Sequence, residues 1–181
     1  MAEPDLSRID PATMFPRAIA AMQNPGFLKS AKYQQQQHRA NREGAHPRLL
    51  EFTDKLVKRL AMLNIPVFPH CIVRTETEQA SAYVRGVSWD SPEDGKWPHR
   101  FAAVDVIHSQ FAWMDKPPIP HAWDVIGHVG KQVAISMGLK IVWGGDFPPG
   151  KYDPAHWELA GWKDMNPETF VFTSGGLDGR V

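Results

Sequence analysis

The chain reads as an α+β domain, with a small antiparallel sheet flanked by helices. Three observations predict this class. One stretch carries apolar residues at three- and four-residue spacing, several short runs are β-branched and apolar, and no regular strand–helix alternation points to a doubly wound sheet. At 181 residues the chain fits one domain with an additional arm.

Residues 1–45 differ from the rest. Pro4, Pro11, Pro16 and Pro25 interrupt them, and the polar run from Gln34 to Gln37 follows. This composition predicts an N-terminal arm or docking segment, available to a protein partner, with short helices near 17–22 and 27–39. Residues 46–181 form the predicted domain. In 48–63, Leu49, Leu50, Phe52, Leu56, Val57, Leu60 and Leu63 alternate with Lys55, Lys58 and Arg59, the pattern of a helix with one core face. Asn64 and Pro66 stop it. The apolar run 65–73 predicts a buried strand ending at Arg74.

Thr75 opens a second helix, 75–86, with Glu78 completing a capping box and Gly86 ending it. A polar loop, 88–98, leads into a β-branched strand at 101–107. Pro117, Pro118 and Pro120 mark a linker before a third helix, 122–137, closed by Gly138. A strand at 139–143, a glycine turn and the segment 156–159 follow. The Phe170-Val171-Phe172 run predicts a last strand.

Composition excludes several roles. The chain is 43% hydrophobic, 22% charged and neutral overall, which argues against nucleic-acid or anionic-membrane binding by bulk electrostatics. No run of 18 apolar residues predicts a membrane span, and the N-terminus has neither a basic nor an apolar leader region, so a cytoplasmic protein is expected. The single Cys71 excludes an internal disulfide and a cysteine-based structural zinc site, and reads as a buried, inert thiol. Gly127-x-x-Gly130-Lys131 is too short for a phosphate loop and reads as small-residue helix packing. His121 and His128, about 10 Å apart along a helix, read as surface or cap residues. His70 reads as a satisfied strand residue, while Trp143, Trp157 and Trp162 are expected to pack the core or line a groove.

The chemistry concentrates in Asp153-Pro-Ala-His156-Trp157-Glu158. A carboxylate three residues before a histidine pairs one zinc ligand with a base that is not itself a ligand. A catalytic zinc takes three protein ligands and keeps one position open, and His99 and Asp105 are the natural partners of His156. Asp105 lies inside the apolar strand Ala103-Val104-Asp105-Val106-Ile107, where a carboxylate is costly unless paired or bound to a cation. A structural salt bridge is the other reading of that residue, and a structural role is the other reading of Arg74.

The blocks Ile72-Val73-Arg74-Thr75-x-x-x-Gln79 and Tyr83-Val84-x-Gly86-x-Ser88, then His99-x-x-Ala102-Ala103-Val104-Asp105, then Trp143-Gly144-Gly145-Asp146-Phe147 and Asp153-x-x-His156-Trp157-Glu158, occur in this order. Over about residues 49–160 the series resembles the LAS-type zinc peptidases, the D-alanyl-D-alanine carboxypeptidases and phage L-alanyl-D-glutamate endopeptidases. The resemblance implies a zinc-peptidase (hedgehog/D,D-peptidase-like) architecture, with Zn²⁺ held by His99, Asp105 and His156. It implies Asp153 as general base and Arg74 holding the scissile carbonyl or its oxyanion. The implied substrate is a peptidoglycan stem peptide, and the implied settings are a phage or prophage lysis enzyme, a virion component or a carboxypeptidase.

One block departs from the pattern. The family places its histidine seven residues before its aspartate, whereas His99 stands six before Asp105, and Ala102 stands where the family has glycine. Six extended residues span about 20 Å at roughly 3.3 Å each, so the segment must bend sharply to bring both to one ion. An alignment anchored on Asp105 puts Pro98 in the histidine's place and leaves His108 as a substitute. The alternative function is a non-catalytic module of the same fold, such as a binding or structural part of a phage particle.

Overall fold

A computed structural model describes residues 15–169. Helix α1 spans Pro16–Met22, α2 Ala31–Gln37, α3 Pro47–Met62, α4 Glu76–Val84 and α5 Ala122–Ser136. Strands β1 (Val67–Cys71), β2 (Ala103–His108), β3 (Ile141–Trp143) and β4 (His156–Leu159) make one sheet in the order β1-β2-β4-β3, every pairing antiparallel. The fold class is therefore α+β, helices around a small antiparallel sheet.

The sheet's two faces do different work. Val104 and Val106 of β2 point into the main core, where they meet Leu49, Phe52 and Leu56 of α3 and Val125, Ile126 and Val129 of α5. The intervening residues of β2, Asp105 and Ile107, point the other way, as the two-residue period of a strand requires. Loops cover that second face as well, so all six residues of β2 are buried. Burial on both faces explains why the strand reads as a continuous apolar run rather than an alternating one.

Local chemistry sets the boundaries. His46 caps α3 by accepting from the Arg48 amide, with Pro47 in the first turn where a missing N–H costs nothing. Thr75 and Glu78 form the expected capping box on α4. Gly127 and Gly130 lie where α5 meets two indoles: a Cβ at Gly127 would stand 2.3 Å from the Trp143 ring, and one at Gly130 2.1 Å from Trp157. The small-residue packing expected for this stretch is thus packing against tryptophan.

Within residues 15–45, Ala18, Ile19 and Met22 of α1 belong to the main core, and Tyr33 of α2 is buried. Two expectations change. His128 is neither a surface nor a cap residue but lies buried on the inner face of α5, while His121 is the exposed residue at its start. The strand expected from residue 101 begins at Ala103, because Pro98–Arg100 coil into a 3₁₀ turn. The run expected as a last strand, 170–172, lies outside the described residues. No helix among the described residues is long and apolar enough to cross a membrane.

Candidate metal and catalytic site

Sheet register assembles the site. Asp105 in β2 sits opposite His156 in β4 on one side and Cys71 in β1 on the other. Directly opposed residues on neighbouring strands share a face, so these three side chains converge without any loop having to reach inward. Glu158 lies two residues beyond His156 on the same face.

His99 arrives by another route. The 3₁₀ turn at Pro98–Arg100, continued through Phe101 and Ala102 with the Ala102 amide donating to the Pro98 carbonyl at 2.8 Å, makes the sharp bend between His99 and Asp105. The Arg74 amide donates to the His99 carbonyl at 2.7 Å, tying this turn to the end of β1. Pro98 does not take the histidine's place. His108 is no substitute either: it lies at the far end of β2, where Nε2 donates to the Met22 carbonyl at 2.9 Å and Nδ1 accepts from the Gln110 and Phe111 amides.

Asp105 is the hub. Its Oδ1 lies 3.1 Å from His99 Nε2 and 3.2 Å from His156 Nδ1, and its Oδ2 lies 3.3 Å from Arg74 Nη2. The outer nitrogen of each imidazole also has an acceptor: His99 Nδ1 lies 3.0 Å from the Ile72 carbonyl, and His156 Nε2 lies 3.0 Å from Glu158 Oε2. A carbonyl or carboxylate behind the imidazole is the arrangement that orients metal-binding histidines. Gln79, almost wholly buried, accepts from Arg74 Nη1 at 3.4 Å and donates to Ser88 Oγ and the Asp90 carbonyl.

Charge in this group is tightly coupled. Burial alone would lower the His99 imidazole, but the adjacent Asp105 carboxylate and the hydrogen bonds to Asp105 and Cys71 lift it to about 10. His156 is raised in the same way, against its burial, by hydrogen bonds to Asp105 and Glu158. Burial pushes Asp105 up, yet the two imidazoles hold it well below the usual carboxylate range. Burial and the Asp105 charge raise Asp153.

Among the described residues, two triads of donor atoms each lie within 4.8 Å of one another: Cys71, His99 and Asp105, and Asp105, Asp153 and His156. Each triad pairs Asp105 with one imidazole, so the expected set of His99, Asp105 and His156 is divided between the two at Asp105; each mixed set suits a borderline divalent cation, which replaces the protons its donors carry. Cys71 is not fully buried, and its Sγ lies 3.6 Å from His99 Nδ1, so it stands beside the site instead of inertly within the core.

Asp153 reaches the group through a close approach of backbone. Its amide donates to the Gly144 carbonyl at 3.0 Å, and its own carbonyl accepts from His156. A Cβ on Gly144 would stand 2.2 Å from the Asp153 carbonyl oxygen, so only glycine lets the two segments meet. Asp153, Arg74, His99, Asp105 and His156 all line one cleft of about 330 Å³. All five expected site residues therefore share one place in the fold. The supporting roles of Gln79 and Glu158 were not anticipated, although both stand in the ordered motifs, and strand periodicity alone places Glu158 beside His156.

No protein-family model matches this chain, and no curated protein matches it. Among solved structures, the chain is similar to the crystal structure of the Serratia marcescens L-Ala D-Glu endopeptidase ChiX, with 22% identity and a TM-score of 0.49, over 71% of this chain and 86% of that one.

Proposed function

We propose that the protein is a zinc-dependent peptidase acting on peptidoglycan stem peptides, as a phage or prophage lysis enzyme or as a wall peptidase of the host. The observation that carries this reading is the meeting of His99 Nε2 and His156 Nδ1 on one buried carboxylate oxygen, with Asp153 and Arg74 on the walls of the same cleft. The ordered sequence blocks direct it to stem peptides.

His99, Asp105 and His156 would hold the ion. Bound zinc supplies a Lewis acid for the carbonyl and makes water more acidic. The side chains do the rest. Arg74 places a fixed positive charge where negative charge develops on the carbonyl oxygen. Gln79 keeps that guanidinium turned towards Asp105 and the cleft. Asp153 accepts a proton from the attacking water and returns it to the departing amine. Glu158 holds the His156 ring so that Nδ1 faces Asp105.

Metal analysis of the purified protein, together with a wall-digestion assay, tests the reading. One zinc per chain is expected, with loss of soluble peptide release on chelation and in His156→Ala. Absence of stoichiometric zinc, with digestion unchanged in His156→Ala, would overturn it, and absence of both zinc and digestion would leave a binding module of the same fold.

A further inference from the structure

The candidate catalytic group does not stand at a blind end. A second groove, of about 510 Å³, opens on the β1 side of the site, past Cys71. Cleft and groove share four wall residues, Arg74, Val87, Asp105 and Asp153. The residues read as carbonyl-binding and proton-transferring thus form the junction between two open spaces.

Each space also carries an aromatic wall that the fold leaves uncovered. Trp89 in the cleft is 55% exposed, and Trp113 in the groove is 44% exposed. Trp113 is held in place, its ring edge-on to His70 at 5.1 Å and its carbonyl accepting from Trp123 Nε1. A positioned but exposed indole offers a large, stiff contact surface to a ligand at little entropic cost. An enzyme that trims one terminal residue needs a space closed on one side of the cut. One that cuts within a chain needs room on both sides.

We propose that the protein cuts internal peptide bonds, with the substrate backbone running through both spaces, past Trp89 on one side of the scissile bond and past Trp113 on the other. The proposal rests on the peptidase reading above and chooses between its endopeptidase and carboxypeptidase forms. The reaction is hydrolysis. Water oxygen bonds to the carbonyl carbon, the C–N bond breaks, and the proton accepted by Asp153 passes to the amine, giving a carboxylate and an ammonium group.

Two synthetic stem-type peptides of one sequence provide the test, one with free ends and one acetylated and amidated. The zinc-loaded protein is expected to cut both at the same internal bond, with kcat/KM equal to within roughly threefold. Trp89→Ala and Trp113→Ala should each weaken binding of the blocked peptide to chelator-treated protein about three- to tenfold, the value of one aromatic contact, as read by calorimetry. Release of a single terminal residue, from the free-ended peptide alone, overturns the proposal and leaves the peptidase reading intact. If zinc binds but neither peptide nor isolated cell wall is cut, the peptidase reading fails and the proposal falls with it.

Discussion

At the scale of single residues, the carboxylates of the site divide their labour by position. Asp105 faces two imidazoles and a guanidinium, and its charge is fully engaged. Asp153 is partly buried at the cleft wall and keeps an oxygen for a proton. Asp153→Asn should therefore keep zinc and lose turnover, kcat falling by about 10²–10⁴, the usual contribution of a positioned acid–base group. Metal content and wall digestion measured on the same sample check this, and loss of zinc in that variant would make Asp153 a ligand instead. Glu158 lies one step further out, behind His156. Glu158→Gln keeps the shape but loses the charge, and zinc affinity should weaken roughly 10–100-fold. Competition with a chelator reads that change directly.

At the scale of elements, the two tryptophans behind the site depend on glycines in α5. Trp157 is completely buried, tilted against Phe52 at 5.3 Å and stacked on Trp143 at 5.7 Å. Trp157 also occupies β4 between His156 and Glu158, so its seating fixes the strand that carries both. Gly130→Ala drives a methyl into that ring and should cost about 1–3 kcal/mol by overpacking, seen as a lower urea midpoint. An unchanged midpoint would mean that α5 can shift away from β4 freely. The same elements show what a sequence can reveal. Helices α3 and α4 are legible because a periodic apolar face and a capping box are local signals. Gly127 and Gly130 are legible as packing residues, but their indole partners are not, since only the folded sheet brings Trp143 and Trp157 across α5. The His99–Asp105 spacing misleads for a similar reason. Spacing along the chain predicts a six-residue reach, while the 3₁₀ turn at Pro98–Arg100 shortens the path before the strand begins. The meeting of Asp105 with His156 follows from strand register and the approach of His99 from the 3₁₀ turn, and a motif only implies either.

At the scale of the whole molecule, His108 joins the N-terminal segment to the sheet. Its ring is fully buried, Nε2–H donates to the Met22 carbonyl at the end of α1, and Nδ1 accepts two amides from the turn after β2. This set of partners requires a neutral ring, because a proton on Nδ1 would remove the acceptor that two N–H groups share. Burial accordingly lowers the His108 pKa from 6.5, against the opposing hydrogen bond to Met22. The unfolded chain takes up this proton at about 6.5, whereas the folded chain refuses it until lower pH. Stability from His108 is thus fully present above about 6.5 and declines as pH falls towards the lowered folded value. His99 and His156 act in the opposite sense, since their folded values are raised and their stabilisation is lost as pH rises. The net slope mixes both, so the difference between wild type and His108→Asn isolates the His108 contribution. The variant should be less stable at pH 7.5, by about 2 kcal/mol for the polar groups left unpaired. That deficit should shrink between pH 7.5 and 5.5. Paired urea titrations at the two pH values measure it; a deficit that stays constant would mean that folding leaves the ring's pKa unshifted, and one that grows would mean that the folded ring is protonated.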